Sequence, residues 1–203
     1  MPSVRKLHST NAKLLMVFIV AHLANHLIAL TGIENHLSSM EALRLVYRLP
    51  IIEWLLLILF AIQIILGLLL ARKRWKPKTS WARAQIISGL IVGFFLTQHI
   101  GALLNVRFAF IDLDTNFYWA ASVATTWPLN LYFIPYYFIG VAAIFIHIAC
   151  ALHFRGFSPT IIKVTVIAGF ACAAGIVLSV SGSLYSIELP IEHKEYIKNF
   201  YNP

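Results

Sequence analysis

Residues Leu15–Leu30 read LMVFIVAHLANHLIAL, an apolar run broken only by His22, Asn25 and His26. A helix needs about 20 mostly apolar residues to cross a bilayer, and this run lies inside a stretch of that length, roughly residues 12–31. Two imidazoles one helical turn apart in a segment suited to lipid pose the central question. Four more such stretches follow, at approximately 51–71, 84–104, 135–152 and 160–181. The expected fold is therefore all-α and integral to a membrane: five transmembrane helices in one bundle, forming a single membrane domain over 1–203.

Composition agrees. Of the 203 residues, 60% are hydrophobic and 12% charged, where soluble domains average about 45–50% and about 25%. The mean hydropathy is +0.79. The net charge of +8 does not point to nucleic acid, because the basic residues sit between apolar runs and form no basic domain face. Cys150 and Cys172 both lie in apolar runs, as small buried hydrophobes do, and form no CxxC pair. The first span follows Arg5 and Lys6 as a signal peptide would, but Asn25, His26 and the lack of a convincing cleavage site argue that it is retained.

Lys and Arg in the flanks set the expected orientation. With the N-terminus in the cytoplasm, eleven basic residues flank the inside and five the outside. The strongest inside marker is Ala71–Arg83, ARKRWKPKTSWAR, which serves as a topology signal and equally as a docking surface for a cytoplasmic partner. The C-terminus is then outside. The segment 105–130 is long for a membrane connection and carries Trp119 and Trp127, aromatic residues suited to an interface. It is expected to fold back over the outer face, with the tail after Leu184 as a short outer appendage.

Ionisable groups inside a membrane are costly and are functional candidates by default. His22 and His26 lie in the first span, His99 in the third, and His147 in the fourth. The second span has Gln63, with Glu53 near its outer end. Alternating span directions place His22 and His99 at one depth and Gln63 and His147 at another. Two imidazoles at one depth on separate helices can ligate one haem iron from opposite faces. The same residues would also serve as interhelical hydrogen-bonding groups or as a proton path in a transporter. Asn25 and His26 read better as packing or supporting groups than as ligands. Arg48 and Arg107, at the outer end, are candidate partners for haem propionates, and Gly89 and Gly93 form a GxxxG suited to close helix contact.

The order of motifs resembles the membrane cytochrome b subunit of succinate dehydrogenases and fumarate reductases, in its single-chain, five-helix, two-haem form. Lys6–Ser9, KLHS, followed by the run to His22, resembles the start of that family's first helix. Leu49-Pro50, then Glu53, then QIILG from Gln63, resembles the second. Gln85–His99, QIISGLIVGFFLTQH, with Gly89 ten residues before the histidine, is similar to the third. Tyr137–His147, YFIGVAAIFIH, with Gly140-Val141 seven residues before the histidine, is similar to the fourth. The resemblance covers about three-quarters of the chain.

It implies an outer haem b held by His22 and His99. It implies an inner haem held by His147 and a residue at the position of Gln63, where a neutral amide replaces the expected imidazole. It further implies electron exchange between flavoprotein and iron–sulfur subunits on the cytoplasmic face and a membrane quinone, with Ser9 and Ser88 as candidate quinone contacts, in a bacterial inner membrane. The chain itself has no flavin or nucleotide motif. The competing expectations are a stand-alone membrane protein, such as a small transporter or assembly factor, and a haem-less anchor with the histidines as a polar core.

Overall fold

The computed structural model describes residues 3–108 and 113–201, apart from the side chains of Arg107, Phe108 and Phe200. Its elements are α1 (Val4–Ile28), α2 (Ile33–Tyr47), α3 (Pro50–Lys73), α4 (Ser80–Phe108), α5 (Phe117–Thr125), α6 (Asn130–His153), α7 (Pro159–Val180) and α8 (Ile191–Tyr201). Five are long and apolar enough to cross a membrane: α1, α3, α4, α6 and α7.

Local signals explain the boundaries. Ser3 caps α1 by accepting from Lys6 N, and Ser158 caps α7 by accepting from Ile161 N, each satisfying one orphan amide of a first turn. Pro50 and Pro159 occupy first helical positions, where proline's missing N–H costs nothing. At the far end of α1 a short 3-10 turn, Ala29–Thr31, leads into Gly32 at φ 130°. Residues with a Cβ avoid that conformation, and the chain turns there into α2.

Two differences from the sequence reading have clear causes. The first span starts at Val4 rather than near residue 12, because the Ser3 cap lets the helix run through polar residues. The fourth starts at Asn130 and carries Pro135 inside it; one lost backbone hydrogen bond so near a helix end leaves the helix intact.

The spans form a closed ring in the order α1, α3, α4, α6, α7 and back to α1. Among the described residues, the only other spans that each span approaches are its two ring neighbours, with no backbone approach between α1 and α4, α1 and α6, or α3 and α6. The seams differ. At α6/α7, Gly169 admits the Phe145 side chain, whose Cβ would lie 2.3 Å from an added methyl. At α4/α6, Gly140 admits the Phe95 ring in the same way, at 2.1 Å. The expected GxxxG contact is not formed as such: Gly89 faces the His147 ring, and Gly93 has nothing within 4 Å.

The short helices close one end, opposite the chain's N-terminus. The segment after α4 does fold back, as α5, against α6, α7 and α8. Its core joins Ala29, Phe117, Ala121, Ala124 and Val180. Tyr185 ties the tail in by donating to Ala29 O at 2.7 Å, and His193 Nε2 lies 3.2 Å from Asp114 O.

Candidate functional site

A continuous cavity of about 320 Å³ runs through the ring. On α1 its lining extends from Ala12 to His26, which at 1.5 Å per residue is about 21 Å along the helix axis. Gln63 and His147 line the end nearer the N-terminus, and Asn116 and Trp119 the opposite, distal end.

His22 and His99 meet across it. Their ring centroids are 6.0 Å apart, with ring planes at 72°. Two imidazoles bound end-on to one metal, each nitrogen about 2 Å from it, would have centroids roughly 6 Å apart. Each ring is braced by a phenylalanine one turn earlier on its own helix: Phe18 stacks on His22 at 5.3 Å and Phe95 on His99 at 5.5 Å, both at 18°. Stacking orients the rings without engaging their nitrogens. His26 Nε2 lies 3.3 Å from His22 Nε2, so one proton shared between them leaves a lone pair facing it.

The distal end is polar. Along α2, His36, Met40 and Arg44 are buried at i, i+4 and i+8 and line the cavity. Asn25 donates to His36 Nε2 at 3.2 Å, which puts the His36 proton on Nδ1. Burial, then the nearby Arg44 charge, lowers the His36 pKa to about 4, so the ring is neutral. Arg44 donates to both Asp114 carboxylate oxygens, at 3.0 and 2.9 Å, and to Glu41 at 2.6 Å. Burial pushes the Asp114 carboxyl up, but the Arg44 hydrogen bonds and the Arg44 and Arg48 charges outweigh it and hold it below its usual range. Arg44 Nε and His36 Nδ1 remain buried without hydrogen-bond partners. Two unpaired donors on cavity-lining residues are costly alone and suit a carboxylate.

The other end is organised differently. His147 Nδ1 lies 3.1 Å from Gln85 O and 3.3 Å from Ser88 Oγ. Asn11 donates to Leu59 O and to Gln63 Oε1, both at 2.8 Å, and Gln63 donates its amide to His8 Nε2 at 3.0 Å. Ser9 accepts from Arg155 at 3.0 Å.

The sequence candidates thus separate into groups. His22 and His99 come together, and Gln63 and His147 line the opposite part of the same cavity. Ser88 touches His147, and Ser9 lies beside His8 at the bundle's end. Arg48 reaches the cavity and lies 3.4 Å from Asp114. The Arg107 side chain lies outside the described residues. Sequence reasoning passed over His8, His36 and Arg44. His8 could have been found by extending the polar stripe of α1 backwards, since 8, 11, 15, 22, 25 and 26 share a face at 3–4 residue spacing. His36 and Arg44 carry the signal of an i, i+4, i+8 face on a helix too short to span.

No protein-family model matches this chain, nor does any curated protein or solved structure.

Proposed function

We propose that this chain is a membrane-embedded b-type cytochrome that relays electrons between a membrane quinone and soluble flavoprotein and iron–sulfur subunits docked at the basic, cytoplasmic end. The observation that carries the reading is the His22–His99 pair: two imidazoles at a two-ligand spacing, facing across helices whose backbones do not approach each other. Haem b bound there would supply reversible one-electron chemistry.

The chain's own residues do the rest. His22 and His99 would hold the iron, with Phe18 and Phe95 fixing their planes. Arg44 Nε and His36 Nδ1 would donate to propionates, with Arg48 adding charge at the same end. The apolar wall, including Leu15, Phe60 and Val141, excludes water, which favours the planar macrocycle over bulk solvent. Ser9 and Ser88 would contact a quinone headgroup near the cytoplasmic end. The basic segment 71–83, on the same side as Arg155 and Lys163, would both set the orientation and receive acidic partner subunits in a bacterial inner membrane.

Purified protein, expressed with a haem supply, is expected to show a reducible b-type absorbance. His22→Ala and His99→Ala should each remove the same whole equivalent of haem, and His26→Ala should leave most of it. A preparation with no haem, though folded and monodisperse, overturns the reading in favour of a non-redox membrane protein. Co-purifying dehydrogenase subunits without haem would instead point to a structural anchor.

A further inference from the structure

A second histidine pair spans the ring nearer the N-terminus. The His8 and His147 ring centroids lie 6.4 Å apart, with planes at 73°, almost the same relation as His22 and His99 at 6.0 Å and 72°. The pair joins α1 to α6, two spans whose backbones make no close approach.

The hydrogen bonds assign the tautomers. Gln85 O can only accept, so His147 carries its proton on Nδ1 and presents the Nε2 lone pair. The Gln63 amide nitrogen can only donate, so His8 likewise accepts at Nε2 and carries its proton on Nδ1. Both rings therefore hold the tautomer of a metal ligand, one of them fixed by a backbone carbonyl as ligating histidines commonly are. Gly89 makes the room: a methyl there would lie 2.9 Å from His147 Cε1. Gln63 is both the partner of His8 and a lining residue of the cavity. Turning its amide aside would open the His8 lone pair to that space.

We propose that His8 and His147 are the axial ligands of a second haem, with the α1 histidine supplying the ligand that Gln63 on α3 cannot. Two imidazoles alone suit a metal whose remaining coordination comes from a macrocycle. Gly89, which faces His147, precedes His99 by ten residues on α4, about 15 Å along the axis, so the two pairs would occupy successive levels of the ring. Gln63 becomes a competitor for the His8 nitrogen rather than a substitute ligand.

This inference rests on the proposed haem-binding function, and haem stoichiometry separates the two. Quantifying haem per polypeptide in the purified full chain should give two equivalents. One equivalent, lost in His22→Ala and untouched in His8→Ala, overturns the second site and leaves the first. None overturns both. His8→Ala and His147→Ala should each reduce two to one while the His22–His99 spectrum persists.

Because truncation could disturb the helix terminus, His8→Met provides a further reading. Exchanging one axial imidazole for a thioether raises a haem's potential. A redox titration of His8→Met should show one of two potentials moved upward and the other unchanged; two unmoved potentials overturn the assignment. Gln63→Leu should keep both haems and strengthen retention of the second during haem-chelating washes. Loss of the second haem in Gln63→Leu would make Gln63 a ligand and overturn its role as competitor.

Discussion

The two histidine pairs have nearly the same geometry and are held by different forces. His22 and His99 are braced by stacking on phenylalanines of their own helices, each at i−4. His8 and His147 are held by hydrogen bonds, to a side-chain amide on α3 and a backbone carbonyl on α4. Stacking fixes a ring plane and leaves the tautomer to other contacts, here the 3.3 Å approach of His26 Nε2 to His22 Nε2. A carbonyl or amide fixes the tautomer and engages a nitrogen. The first pair should therefore respond mainly to changes of packing volume, and the second to changes of polar partner.

The largest effect should come from breaking the brace of the stacked pair. Gly140→Val places branched carbon where the Phe95 ring lies, within 2.1 Å of its Cδ2. Overpacking of this kind costs typically about 1–3 kcal/mol. Phe95 would be driven against His99, so thermal stability in detergent should fall together with haem at the His22–His99 pair. Next comes the distal end shared by the cavity and α2. Arg44→Met removes a charged donor bonded to Asp114 and Glu41, and hydrogen bonds to charged groups contribute about 1.5–3 kcal/mol each. Asp114 and Glu41 are part-exposed, with side-chain exposures of 43% and 63%. The loss should therefore fall at or below the lower bound, read as a lower midpoint of unfolding.

A smaller and more selective effect is expected from Ser88→Ala. Ser88 is a second polar neighbour of His147 beside the Gln85 carbonyl, and polar contacts between membrane helices average about 0.6 kcal/mol. Stability should barely change, and any spectral or potential change should be confined to the His8–His147 level. An equal change at both levels would dissolve the distinction between the pairs.

The weakest effect is a pH dependence of the distal end. His36 has a folded pKa of about 4 against an ordinary value of 6.5. The unfolded chain binds the proton first, so this contribution to stability is complete above 6.5 and is lost as the pH falls towards 4. Asp114 is also depressed, from 3.8, and its contribution fades only below that value. Unfolding midpoints between pH 7.5 and 4.5 should decline, and His36→Gln should flatten the decline without altering the rest of the curve.

The spans were legible because bilayer thickness acts on every residue of a helix, and an apolar run of 20 residues satisfies few other demands. The His22–His99 pair was legible because each histidine sits in an otherwise apolar span at a computable depth, His22 with Asn25 and His26 and His99 with Thr97 and Gln98. His8 was not: it stands among Arg5, Lys6, Ser9 and Thr10, where a polar residue raises no question, until the Ser3 cap extends the helix through it. The α2 face was hidden for another reason. His36, Met40 and Arg44 alternate with exposed Leu45 and Val46, so no amphipathic contrast separates the buried side from the side exposed at the membrane boundary. Ring order was not readable either, since it depends on which small residues receive which rings: Gly140 receives Phe95 and Gly169 receives Phe145, and only packing reveals the pairing.

The ring also orders events in time. Its closing seam joins α1 to α7, the first and fifth of these spans in chain order, with Gly175 letting Leu27 and Leu30 approach at 3.2 and 3.3 Å from where a methyl would stand. Until the ribosome has delivered residue 180, that side remains a slot open laterally to lipid. A haem bound as proposed would have a sideways route from lipid during this interval.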